Sequence, residues 1–322
     1  MSMFLRLFVL IAWLAPAAGW ARGGETITVD IAKLRPTQMQ IGLAVVRDMV
    51  RTLYVDKAIE GDASLAEFRS RGTQLPLKTL SQLNAAQSER LRGRLAELVR
   101  TKPPKPLRGA RGPDGAIYVT DGHHRAMALA LLVLQGSPPL LDPAQARIAV
   151  SIEADGDFSG RSRDFVRYIA ETGFFTREVR DRHARKELTA EQLVEKLPRT
   201  LFELARFDNP TRSAISRVFY DFGMDTEHFV EHLEFLLAEK LTCEIGSLPG
   251  YEFDDETLER ARRAIFGNPA MVAFLRAKER RGPHGAAAEA ALRDALSRYR
   301  KLEQERDAKG LHPPARPALC PG

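Results

Sequence analysis

Hydrophobic and polar positions follow two different rhythms along this chain, and the change from one to the other falls near residue 156. Residues 26–31 alternate with a period of two, the pattern of a strand with one buried face, and Pro36 stops it because proline cannot donate to a central ladder. Across residues 41–59 the apolar positions Ile41, Ala44, Val45, Met49, Leu53 and Ala58 fall near helical spacing. Residues 80–99 repeat that spacing, with Ser81 or Asn84 available as an N-cap. A rigid Lys102-Pro103-Pro104-Lys105-Pro106 stretch follows. Residues 107–111, a Gly112-Pro113-Asp114-Gly115 turn and residues 116–120 then predict a β-hairpin. Residues 125–134 are alanine and leucine on nearly every side, which predicts a helix buried against a sheet, and residues 146–153 predict another strand.

Beyond Gly156 the strand rhythm fades. Helical spacing takes over at residues 164–171, 190–207, 210–222, 227–241, 255–265, 269–279 and 286–306. The expected architecture is an α+β domain at about 25–155, an all-helical domain at about 156–310 and a proline-rich tail at 311–322, with no internal repeat.

The start of the chain has a different character. Arg6, an apolar run over residues 7–14 and small residues ending Gly19-Trp20-Ala21 before Arg22 have the order of a secretory signal peptide, residues 1–21, cleaved after Ala21. The apolar run is short of the ~20 residues a spanning helix needs, and Pro16 interrupts it. The expectation is a periplasmic or secreted protein with no membrane span once the signal is removed. Two cysteines, Cys243 and Cys320, are too few for a disulfide scaffold or a cysteine zinc site, although an oxidising compartment would let them pair. With 48 Lys and Arg against 42 Asp and Glu, the formal charge of +6 favours an anionic partner such as nucleic acid, nucleotide or lipid head groups.

The chemistry concentrates at Asp121-Gly122-His123-His124-Arg125, between a predicted strand and a predicted helix. A helix N-terminus offers unsatisfied N–H groups and about half a positive charge, and so accepts phosphate. Gly122 lets the backbone approach a ligand, Arg125 can fork onto two phosphate oxygens, and His123 or His124 can exchange a proton near neutral pH. Asp121 is placed to orient a histidine or a metal. The bland alternative is that Asp121 caps the helix, Gly122 makes the turn, and the histidines only satisfy backbone groups.

The order Val29-Asp30-Ile31, Leu34-Arg35-Pro36-Thr37-Gln38, Ile41-Gly42 and Tyr118-Val119-Thr120-Asp121-Gly122-His123-His124-Arg125-Ala126 resembles the ParB/sulfiredoxin superfamily, specifically its ParB-like nuclease branch, over residues 26–153. The resemblance implies a compact α+β domain that binds nucleotide phosphates at this turn, with Gly122, Arg125, Arg35 and Gln38 toward the phosphate. Gly122, His124 and Arg125 match the Gly-Cys-His-Arg of sulfiredoxins, but His123 stands at the cysteine position, which argues against sulfinic acid reduction. Only the glycine and the last arginine match the Gly-Glu-Arg-Arg of partition proteins. Asp121, Gly122, His123 and Arg125 match the Asp-Gly-His-x-Arg of free-serine kinases, yet an exported protein meets little nucleoside triphosphate.

A rival motif lies in the helical half. His228, Glu231 and His232 form H-x-x-E-H, which on a helix puts both histidines on one face, as zinc ligation requires. The flanking Phe229, Leu233, Leu236 and Leu237 read instead as a packed core stripe. The functional expectation is a nuclease or phosphoesterase holding a phosphate-containing ligand, nucleotide or nucleic acid, at the Asp121–Arg125 turn. The alternatives are a non-catalytic nucleotide- or nucleic-acid-binding protein and a metal-dependent hydrolase on His228 and His232. The cofactor is undetermined, a divalent metal being compatible with either site.

Overall fold

A computed structural model of the chain describes residues 24–70, 79–171, 189–224, 233–245, 255–278 and 283–311. The leader, His228, Glu231, His232 and Cys320 lie outside the described residues, as does the side chain of Cys243.

The architecture is mixed α and β. Five strands, β1 (Thr26–Asp30), β2 (Arg35–Pro36), β3 (Leu107–Arg111), β4 (Ile117–Asp121) and β5 (Arg147–Asp157), form one sheet in the order β1-β5-β3-β4-β2. The β1–β5 and β3–β4 pairs are antiparallel, and β5–β3 and β4–β2 are parallel. The expected hairpin is present as β3 and β4, and β5 runs to Asp157, past the expected boundary at 155/156.

Alternation along β4 assigns the two sheet faces. Ile117 and Val119 enter the larger core, against α1 (Leu43–Met49), α2 (Asp56–Ile59), α3 (Ala85–Thr101) and α4 (His123–Leu134). Tyr118 points the other way, into a smaller cluster with Ala110, Phe158 and, from α5 (Ser162–Glu171), Phe165 and Ile169. In α4 eight of the 12 residues are buried, among them Met127, Leu129, Leu131 and Leu132. Each such side chain contributes about 1.5–3 kcal/mol by leaving water, so tertiary burial fixes where α4 begins and ends.

Two expected helices are divided. Residues 41–59 form α1, a π-helical stretch Val50–Val55 and α2. The wider π turn carries Tyr54, 4% exposed, inward. Residues 190–207 form α6 (Ala190–Lys196) and the single turn α7 (Leu201–Leu204), separated around Pro198, which cannot continue a helix.

The helices after residue 209 share a separate apolar core. They are α8 (Pro210–Asp221), α9 (Leu233–Ile245), α10 (Asp255–Phe266), α11 (Pro269–Arg276) and α12 (Pro283–Ala308). The sheet core nevertheless reaches past the expected boundary, because Leu201 and Leu204 of α7 pack in it. A second link is polar. Ile41 N–H donates to Phe207 O at 2.9 Å, Asn209 N–H donates to Ile41 O at 2.8 Å, and Asp208 accepts Leu43 N–H at 2.9 Å. That clamp seats the start of α8 on the loop leading into α1. Among the described residues no helix is long and apolar enough to cross a membrane.

Candidate phosphate site at the start of helix α4

The chain turns from β4 into α4 through Gly122, whose φ of 90° lies in the left-handed region. The exposed Asp121 accepts the Gly122 N–H at 2.7 Å, so its carboxylate stabilises its own turn and is not placed to orient a histidine. A Cβ at residue 122 would come within 2.7 Å of Leu107 and 2.8 Å of the Arg125 guanidinium. Only glycine therefore lets Arg125 lie across the turn. No side chain caps α4, and its first amides keep the positive end of the helix dipole.

His123 is 2% exposed, and its Nε2 accepts the Thr37 N–H at 3.1 Å. The Thr37 hydroxyl is also close, at 3.3 Å, but its proton goes to Val119 O at 2.6 Å. An Nε2 that accepts an amide hydrogen carries no proton, so the network assigns the ring as neutral with its hydrogen on Nδ1. His123 thereby fastens the head of α4 to the loop after β2.

His124 points to the helical half. Its ring is half-buried, and its Nε2 is out of contact with solvent and has no hydrogen-bond partner among the described residues. Burial first, and then the nearby Arg212 guanidinium, hold its pKa well below the ordinary histidine value. Arg212, from the first turn of α8, is 2% exposed. It donates through Nη1 to Gln38 at 3.2 Å and through Nη2 to Glu234 of α9 at 3.3 Å. Gln38, itself 4% exposed, is therefore engaged by Arg212 behind the turn.

Arg125 is half-buried and has no carboxylate or hydrogen-bond partner among the described residues. Several other arginines of the sheet half differ: Arg90 is held by Asp62, Arg108 by Glu153 and Arg147 by Asp30. The charge of Arg125 acts on the Tyr54 hydroxyl, which is buried without a partner among the described residues. Burial pushes the Tyr54 pKa up to about 12, so this hydroxyl stays protonated and can donate.

Arg35 is elsewhere. It lies on the Tyr118 face of the sheet, donating to the Tyr118 hydroxyl at 2.9 Å and pairing with Asp114 at 2.7 Å. Of the residues picked out in the sequence, Gly122, His123, His124, Arg125 and Gln38 gather around the head of α4. Asp121 and Arg35 are taken up by local structure. No group of three His, Cys, Asp or Glu that could hold a metal occurs among the described residues.

Sequence reasoning passed over Tyr54, Arg212 and Glu234. For Arg212 the signal was present: it shares a stripe with Ile215 and Phe219, where a charged residue needs a buried partner. Tyr54 follows Val50 by one turn, in what reads simply as an apolar stripe.

Among solved structures, protein Atu1540 from Agrobacterium tumefaciens is similar at 16% identity, over 90% of this chain and 98% of that one, with a TM-score of 0.38. No curated protein matches the chain. A family model matches residues 27–242, which takes in all of the sheet but the first residue of β1, together with α4, Arg212 and Glu234. On that match the chain belongs to the family described as "Putative ParB-like nuclease".

Proposed function

We propose that the protein binds a phosphate-containing ligand, a nucleotide or nucleic acid, at the head of α4 and hydrolyses its phosphoester or phosphodiester bond. The observation that carries this reading is Arg125: a guanidinium with no acidic partner among the described residues, lying over a left-handed glycine at an uncapped helix start. Guanidinium and helix amides together form a site for phosphate oxygens.

On this reading His124 is the proton acceptor, since the Nε2 of His123 is already used by Thr37. Water oxygen attacks phosphorus as the bond to the alcohol oxygen breaks. His124 Nε2 takes the water proton, and the leaving oxygen takes up a proton in its turn. A bound anion beside His124 offsets the Arg212 charge and raises the basicity of the ring for that step. The signal-like residues 1–21 would place this chemistry outside the cytoplasm.

The non-catalytic binding reading has one observation in its favour: a ring kept neutral by burial and a neighbouring cation is a weak base. Hydrolysis assays on a dinucleotide and on p-nitrophenyl phosphate decide between the two. The enzymatic reading expects turnover that His124→Gln removes while ligand binding survives. Binding without turnover in the wild-type chain selects the other.

A further inference from the structure

Between Leu98 and Pro113 the sequence holds five cationic residues, Arg100, Lys102, Lys105, Arg108 and Arg111, and no acidic one. Two of them are met by carboxylates from outside the stretch, Arg100 by Glu97 and Arg111 by Glu25 and Asp157. Lys102 and Lys105 are exposed and have no acidic partner among the described residues. Arg108 has Glu153 at 3.1 Å, with side chains 62% and 26% exposed, and an ion pair so open to water contributes little and can be exchanged for a phosphate. The stretch runs into the head of α4. Leu107, which opens β3, comes so near the turn that a Cβ on Gly122 would lie 2.7 Å from its side chain. Arg108 stands opposite Asp121 in the β3–β4 register, which puts their Cα atoms about 4.5–5.5 Å apart. Lys105 is two residues before Leu107 and Lys102 five, so at no more than ~3.6 Å per residue their backbones lie within ~7 Å and ~18 Å of it. Pro103, Pro104 and Pro106 fix φ here and keep the lysines on a stiff, non-helical run.

We infer that Lys102, Lys105 and Arg108 form a track for the backbone of a nucleic acid strand, one of whose phosphates sits at the head of α4. The inference rests on the reading of that head as a phosphate site, and it names the ligand as a polynucleotide rather than a free nucleotide. A mononucleotide ends at the one phosphate that Arg125 and the helix amides hold, and leaves the track empty. A strand carries one charge per ~3.4 Å of duplex axis, so over the length from the turn to Lys102 it brings several phosphates to these three cations. Cations set against phosphates release condensed counterions, and such contacts are blind to sequence because they reach no base edge. Asp121 and Glu153 oppose the strand in part. Each is already engaged by local donors, Asp121 by the Gly122 N–H and Glu153 by the Thr120 and Tyr168 hydroxyls.

The test measures binding of a short labelled oligothymidylate and of thymidine 5′-monophosphate to the full chain over a series of salt concentrations. The wild-type chain is expected to bind the oligonucleotide ~tenfold or more tighter than the monophosphate. In the triple variant Lys102→Gln, Lys105→Gln, Arg108→Gln the oligonucleotide should lose that advantage. The slope of log affinity against log salt should fall by about 2, at ~0.7 for each phosphate contact removed from a single strand. The monophosphate should bind the triple variant as it binds the wild type. Arg300→Gln, Lys301→Gln, Lys309→Gln removes the same charge from exposed positions elsewhere and should keep the wild-type slope, which separates a local track from net charge. Wild-type affinity and slope in the track variant, with both probes still dependent on Arg125, overturn the track and leave the phosphate site standing. An equal loss in the control variant overturns the track as well. Binding of neither probe to the wild-type chain overturns both readings. Phosphatidylglycerol vesicles are the counter-probe: if they bind through the three cations and the oligonucleotide does not, the surface faces lipid and the nucleic-acid assignment falls.

Discussion

The Nε2 atom of His123 accepts the backbone N–H of Thr37 at 3.1 Å, joining the first residue of α4 to the loop that leaves β2. Both ends of this bond are buried. Replacing His123 by alanine leaves the Thr37 amide unpaired and opens a cavity, and the expected cost is about 2–4 kcal/mol in urea unfolding. Replacement by glutamine, whose carbonyl can accept the same hydrogen, should recover part of that. If His123 were instead the proton-exchanging residue, alanine would remove turnover with little change in stability.

His124 gives a pH signature. Its pKa in the folded chain lies well below the ordinary 6.5, so as pH falls past that value the unfolded chain takes up a proton that the folded chain refuses. The stabilisation is complete above that value. It is lost as pH falls toward the folded pKa, at about 1.4 kcal/mol per pH unit. Urea titrations between neutral and mildly acidic pH should show this slope, and His124→Gln should flatten it by one proton. An equal slope in both proteins would mean that the ring is charged when folded.

At Gly122 an added methyl is opposed twice, by φ of 90° and by the close approach of Leu107 and Arg125. Gly122→Ala should cost about 1–3 kcal/mol and, by displacing the guanidinium, weaken phosphate binding as well. Calorimetric melting beside a phosphate titration measures both.

Much of this arrangement was legible in the sequence, and the reasons differ by element. The hairpin of β3 and β4 was readable because Gly112-Pro113-Asp114-Gly115 specifies a turn locally, and α4 because an unbroken apolar run, residues 126–134, has no soluble alternative to burial. The π-helical stretch was not readable, since its apolar spacing within 50–55 differs from an α-helix by a single residue. Which residues of the Asp121–Arg125 turn are free to act depends on partners far away in sequence. Thr37 lies 86 residues from His123, and Gln38 lies 174 from Arg212. No local pattern reports such pairings, so Asp121, His123 and Arg35 looked as available as Arg125.

Arg35 makes a useful negative control. Its contacts with Asp114 and Tyr118 are on the other sheet face, with side-chain exposures of 38% for Arg35 and 49% for Asp114. Arg35→Ala should cost no more than about 1 kcal/mol and leave phosphate affinity unchanged. A loss of binding comparable to that of an Arg125 variant would place the ligand on the Tyr118 face.

The most direct test of the account is the thermal shift produced by inorganic phosphate and by a short single-stranded oligonucleotide on the full chain, compared with Arg125→Ala. The expected result is stabilisation of the wild-type chain by both probes and its loss in the variant, whose own melting temperature should hardly move because the replaced guanidinium has no partner among the described residues. Equal stabilisation of wild type and variant would contradict the account, since the phosphate would then be held somewhere other than the head of α4.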